Sequence, residues 1–125
     1  MSTTISGTSG VTFPDSTSMQ TGQQACKAWV NFNGQGTVAI RAGYNVSSIT
    51  DNGTGQYTVN FTTALADANY STVVTTGGTS ARITGNSPEA SGNDPTVNST
   101  SVTAYRDVAG IFVDARYMNV AVFSN

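Results

Sequence analysis

The chain has 125 residues, enough for one domain with one modest core. Gly, Ser, Thr and Asn supply nearly half of it and charged residues only 10%, well under the usual quarter or so, which excludes a bundle of amphipathic helices because these residues favour turns and caps. Net charge is −2, with five dispersed basic residues (Lys27, Arg41, Arg82, Arg106, Arg116) and no histidine; this argues against nucleic acid and removes imidazole metal sites and Ser-His-Asp or Cys-His catalysis.

Residues 1–25 are polar and rich in Gly, Ser and Thr. They hold one short strand candidate, Gly10-Val11-Thr12-Phe13, stopped by Pro14-Asp15, and cannot bury a core of their own. They read as a stalk or linker segment, or as a strand in need of a partner, ahead of a head domain at 26–125. The first ten residues have no charged region followed by an apolar one, so no signal peptide is expected. Met1 is expected to open a piece of a longer chain. No apolar run is long enough to span a membrane as a helix.

From Lys27 the β signals are dense. Lys27–Phe32 places Ala28, Val30 and Phe32 on one face and Trp29 on the other. Asn33-Gly34 follows, a strong two-residue hairpin signal. Thr37–Arg41 puts Val38 and Ile40 on one face, and Gly43 is expected to break that strand. Tyr44–Ile49 is a weaker strand, because Val46 and Ile49 differ in parity; a bulge reconciles them. Asp51–Gly55 is turn-like, with Asn52-Gly53 and Gly55 suited to positive φ. Tyr57–Thr62 then alternates strictly, with Tyr57, Val59 and Phe61 on one side and Thr58, Asn60 and Thr62 on the other. Ala64–Asn69 is a connection with room for one helical turn.

Tyr70–Thr76 carries Val73 and Val74 on opposite faces. Gly77–Pro95 reads as a long polar loop, with a short strand around Ala81–Thr84. Ser99–Arg106 alternates again, Val102 and Ala104 opposite Thr103 and Tyr105. Gly110–Phe123 puts Tyr117 and Phe123 on one face and Met118, Val120 and Val122 on the other. Strands at this spacing, joined by turns, predict an antiparallel β-sandwich. The last strand is apolar on both faces and Trp29 points away from its apolar neighbours. Those faces must pack under loops or against another chain.

Reactive side chains are few. Cys26 is the single cysteine, so it forms no intramolecular disulfide, completes no thiolate zinc site, and is expected as a small buried hydrophobe. Seven carboxylates remain: Asp15, Asp51, Asp67, Glu89, Asp94, Asp107 and Asp114. None sits in a recognisable acid–base motif, and Asp51 and Asp67 lie where Asp caps turn amides. The glycine-rich stretches lack the lysine and the helix of a phosphate loop. Asp51-Asn52-Gly53 and Asn93-Asp94 offer oxygens for calcium without the spacing of an EF-hand. No catalytic residue and no cofactor are therefore assigned. Tyrosines are mostly expected in packing; Tyr105, opposite Val102 and Ala104, is the better exposed one.

Residues 26–71, CKAWVNFNGQGTVAIRAGYNVSSITDNGTGQYTVNFTTALADANYS, closely resemble a module near the C-terminus of bacteriophage tail fibre proteins. A KAWVNF-x-G strand (Lys27–Gly34) is followed there by an SSITDNGTG-x-YTVNFTTA-x-x-DANY stretch (Ser47–Tyr70). SGTSGVTFPDSTSM (6–19) is similar to the G-x-x-FPDGTTQ segment that leads into fibre tips, with Ser16 in place of the usual Gly. The resemblance covers roughly half the chain and does not extend over 71–125.

It implies a homotrimer on the virion, at the distal tip of the fibre, joined to the rest of the tail fibre and its baseplate. The tip would bind the host surface, through polysaccharide, lipopolysaccharide or an outer-membrane protein, without catalysis or membrane insertion. A three-fold assembly would bury the doubly apolar last strand and Trp29. Recognition is expected in loops: the turn at 51–55 and above all the 77–95 loop, with Arg82, Glu89, Asn93 and Asp94, joined by Tyr105. The alternatives are a purely structural trimerisation or capping module and a small capsule depolymerase. The latter would need a long groove and paired carboxylates.

Overall fold

The computed structural model describes residues 4–6, 10–19, 25–78, 83–86, 94–106 and 111–124. Among them every regular element is a β-strand and every pairing is antiparallel. Three strands, β1 (Thr4–Ser6), β2 (Gly10–Thr12) and β3 (Ser18–Met19), pair only with one another. The sandwich comes next. One sheet has the order β5 (Ala39–Tyr44), β4 (Cys26–Asn33), β12 (Tyr117–Phe123), β8 (Ser71–Gly77). The other joins β6 (Val46–Gly53), β7 (Gln56–Phe61) and β10 (Ser99–Arg106), with β9 (Ile83–Asn86) and β11 (Ile111–Phe112) on β10.

Alternation decides which side chains meet between the sheets. Ala28, Val30, Phe32, Met118, Val120 and Val122 come from the four-stranded sheet, and Tyr57, Val59, Phe61, Val102 and Ala104 from the other; all are buried. Phe32 and Tyr57 meet edge to face across the layers, centroids 5.2 Å apart. Leu65 closes one end; its backbone N–H donates to Val97 O, and its segment is a bent coil without a helical turn. Strand β10 is buried on both faces from Thr100 to Ala104, more than its alternation implies.

Two corners carry the chain from sheet to sheet. Asn45 separates β5 from β6 and has φ +54°, a left-handed value that Asn tolerates. Its amide donates to Lys27 O and Thr63 O, and its Oδ1 accepts the Thr63 N–H. The second corner divides the expected last strand in two. After β11, residues 113–116 leave the five-stranded sheet, and β12 enters the other between β4 and β8. Asp114 anchors that corner. Its Oδ1 accepts the Gly55 N–H at 2.8 Å and lies 2.8 Å from the Tyr57 hydroxyl, which is also 2.9 Å from Gly34 O.

Several local expectations change. The β4–β5 connection is five residues long, and its left-handed glycine is Gly36, φ +63°, not Gly34. Gly34 is needed for closeness instead: a Cβ there would stand 2.5 Å from the Tyr57 hydroxyl. Gly43 does not break β5, which runs through it to Tyr44. The bulge between Val46 and Ser48 is present, and a second lies between Asp51 and Gly53. Within the 77–95 stretch the described strand is Ile83–Asn86, running two residues past the expected end at Thr84. Residues 10–19 find their partner within their own segment: β2 pairs with β1 and β3, and the Pro14–Ser16 turn is closed by Phe13 N to Thr17 O at 2.8 Å.

Candidate functional site

The inner face of the four-stranded sheet is core, so the odd positions of β4, β8 and β12 turn outward, joined after the β5 bulge by Ala42 and Tyr44. The register aligns them in rows. Tyr44 pairs with Trp29, Trp29 with Ala121, and Ala121 with Val73. The next row runs Ala42, Asn31, Asn119, Thr75. Trp29, Tyr44, Val73, Tyr117 and Phe123 remain 40–59% exposed. Apolar side chains of this size on ordered strands form a patch of the kind that marks a contact surface.

The two rows differ in chemistry. Ala121 is small and stands between Trp29 and Val73, so the first row dips at its centre. The dip holds about 270 Å³ and is bordered by Trp29, Asn31, Val73, Thr75, Asn119 and Ala121. The second row is an amide ladder: Asn31 Nδ2 donates to Asn119 Oδ1, and Asn119 Nδ2 donates to Thr75 Oγ1 at 3.2 Å. Each amide nitrogen carries two hydrogens and a threonine hydroxyl one. One N–H on each asparagine and the Thr75 hydroxyl proton are therefore free of these bonds.

Arg41 continues the site. Arg41 alternates with Val38 and Ile40 and so lies on the outer face, and the bulge beside it in β4–β5 brings Ala42 opposite Asn31 on that same face. Its guanidinium lies 4.3 Å from the Tyr117 ring centroid, a cation–π distance. It donates to Arg116 O at 2.7 Å and to Asn31 Oδ1 at 3.4 Å. The strands of this sheet contain no Asp or Glu, while Lys27 and Arg41 lie on them and Arg116 directly precedes β12. In a chain of net charge −2, this face is locally positive.

A larger cleft of about 520 Å³ lies beside the Asn45 corner, between Lys27, Tyr44 and residues 62–66. The Asn45 amide bordering it makes three hydrogen bonds, to Lys27 and Thr63, and so belongs to the corner's framework.

Of the residues expected from sequence to contact a receptor, Arg82, Glu89 and Asn93 lie outside the described residues. Asp94 is exposed and precedes β10. Tyr105 is half-buried near the opposite end of β10 and stacks on Phe112, centroids 4.6 Å apart. Six strand positions, roughly 20 Å, separate Tyr105 from Ser99 near Asp94, and the structure does not bring these two together. The 51–55 turn is a framework element. Asp51 Oδ1 accepts the Gly53 N–H at 3.0 Å, and Gly55 is buried against Ala104 and Val113. Asp67 caps the Asn69 N–H at 2.7 Å. Cys26 is half-buried, its thiol 3.1 Å from Ala28 O. Among the described residues, no three of Cys, Asp and Glu lie close enough together to hold a metal ion.

Sequence parity identified Trp29 as outward-facing. It missed Asn31, Asn119, Thr75 and Arg41, which become neighbours only because β12 inserts between β4 and β8. No family model matches the chain, and neither a curated protein nor a solved structure matches it.

Proposed function

We propose that the chain is the host-recognition tip of a bacteriophage tail fibre, a non-enzymatic adhesive domain that works as a homotrimer. The observation that carries this reading is the open sheet face: aromatic rings and free amide donors held on ordered strands, with no described part of the chain covering them. The phage assignment rests on the resemblance of residues 26–71 to tail fibre modules. That block forms β4 to β7 and supplies both sheets, including the Asn45 corner. It is therefore a scaffold for recognition.

Self-association is supported by the β1–β3 sheet. Ile5 is 82% exposed and Phe13 39% exposed there, and a three-stranded sheet of two- and three-residue strands needs an apolar partner to be stable. Further copies of the same segment would provide one.

The test is localisation on particles. Virions encoded by the genome that carries this chain are labelled with gold-conjugated antibody against residues 26–125 and imaged by electron microscopy. Label at the distal ends of the fibres is expected, together with a three-chain mass for the purified protein by light scattering. Particles without label would overturn the tail fibre assignment, and a stable monomer would overturn the trimer.

A further inference from the structure

We infer that the open face of the four-stranded sheet is a binding site for an anionic saccharide, one sugar ring seated in the dip over Ala121. This deepens the host-recognition reading and rests on it for its biological setting, though not for its chemistry.

Three features select the ligand class. The first is shape. The dip is an open, shallow depression of about 270 Å³ with Trp29 on one side and Val73 on the other. That volume suits one ring lying in the depression. The second is the change of chemistry within one residue pair along the strand. A pyranose has an apolar face of C–H groups and an equator of hydroxyls. Trp29 and Ala121 offer an apolar surface for the former. The free N–H groups of Asn31 and Asn119, with the Thr75 hydroxyl, stand beside it for the latter. A dry interface between copies of this chain would not place a row of amides across its centre, since obligate contacts resemble a divided core.

The third is charge. The sheet's strands carry basic residues and no acidic ones. Arg41 is held on Tyr117 and Arg116 O, and its remaining guanidinium N–H groups are pre-oriented next to Asn31. A guanidinium whose orientation is already fixed loses less freedom when it engages a carboxylate or phosphate. A saccharide chain laid along β12 would place one ring in the dip and the acidic group of its neighbour at Arg41.

Trp29 is the only tryptophan, so its emission reports directly on occupancy. The full chain is titrated with oligogalacturonate and oligosialic acid as acidic saccharides, maltotetraose as a neutral saccharide, and tetraglutamate as an acidic non-saccharide. A saturable change in emission with at least one acidic saccharide is expected, with binding about tenfold or more weaker for maltotetraose and tetraglutamate. Ala121→Leu fills the dip while keeping Trp29 and Arg41, and should weaken binding about tenfold or more. Arg41→Gln should remove the preference for acidic over neutral sugars. Calorimetry repeats the test with Trp29→Ala, where loss of the stacked ring should again cost about tenfold or more.

Absence of a saturable response to either acidic saccharide would overturn the inference. Equal binding of tetraglutamate would reduce the site to charge alone and overturn it too. Conversion of an oligomer to monomer by Ala121→Leu, seen by light scattering, would reassign the face to contacts between copies. Cell binding separates this failure from that of the host-recognition reading. Bacteria that retain Ala121→Leu as well as the wild-type chain leave recognition standing and exclude this face. A chain that binds the saccharide but no cells leaves the face standing and removes the biological setting.

Discussion

Gly36 and Gly55 form an internal control for what holds the sandwich together. Both have left-handed backbones, φ +63° and +66°. An alanine at either pays a left-handed penalty of about 1–2 kcal/mol. Around Gly36 nothing lies within 4 Å of an added Cβ, so the cost should stop there. At Gly55 the same atom would stand 2.6 Å from Ala104 O, 2.7 Å from Val113 N and 2.8 Å from Val113 O. These are backbone atoms of β10 and of the corner after β11, and they must retreat by about 0.5–1 Å to reach ordinary contact. The retreat strains three hydrogen bonds that meet there: Ala104 N to Gly55 O, Val113 N to Ala104 O, and Gly55 N to Asp114 Oδ1. At about 1 kcal/mol each, added to the left-handed penalty, the total for Gly55→Ala is about 4–5 kcal/mol. A chain of this size has about 6–15 kcal/mol in hand. Urea unfolding followed by Trp29 emission and far-ultraviolet circular dichroism measures both variants. The Gly55→Ala midpoint should fall at least twice as far as that of Gly36→Ala. Equal losses, to within about 0.5 kcal/mol, would refute the argument that β7, β10 and the β11–β12 corner are locked at this point.

Three further predictions concern the same framework and its N-terminal appendage. Asp114→Ala leaves the Gly55 N–H and the Tyr57 hydroxyl without their shared acceptor, and should cost about 2–4 kcal/mol in urea unfolding at neutral pH. Burial, and then the Asp114 carboxylate, raise the Tyr57 phenol well above its ordinary value of 10.0. The folded state therefore keeps a proton that the unfolded chain releases, so this stability is intact below about pH 10 and is lost as pH climbs beyond it. Tyr57→Phe should flatten that alkaline loss in midpoints measured between pH 8 and 11; an unchanged slope would contradict it. Ser16 stands at φ +69° in the turn between β2 and β3, where glycine is unstrained. Ser16→Gly should slow exchange of the Phe13 and Ser16 amides, both bonded across that turn, a few-fold, corresponding to about 0.5–1 kcal/mol.

The left-handed backbone at Ser16, in a turn after Pro14-Asp15, is one that glycine adopts without strain. Much was visible in periodicity. Strand β7 and its inward Tyr57, Val59 and Phe61 follow from alternation alone, as do the bounds of β10 and the outward turn of Trp29. What alternation could not show was where the chain changes sheets. Ile111–Phe123 looks continuous, yet Asp114 is captured by Gly55 and Tyr57 from another layer, and that long-range bond splits the run. Asn33-Gly34 carries a local hairpin signature, but Tyr57 occupies the space beside Gly34 and shifts the left-handed residue to Gly36. The candidate site was the least legible part. Asn31 and Asn119 are 88 positions apart, and Ala42 and Tyr44 share their face only through a bulge beside Arg41 that parity does not register.

Competition for adsorption tests the central claim most directly. Purified chain is added in excess to host cells before virions that carry it, and free particles are counted over time. Adsorption should fall in proportion to occupancy by the wild-type chain and stay near its uninhibited rate with Ala121→Leu. Full adsorption in the presence of saturating wild-type chain would contradict a role in host recognition.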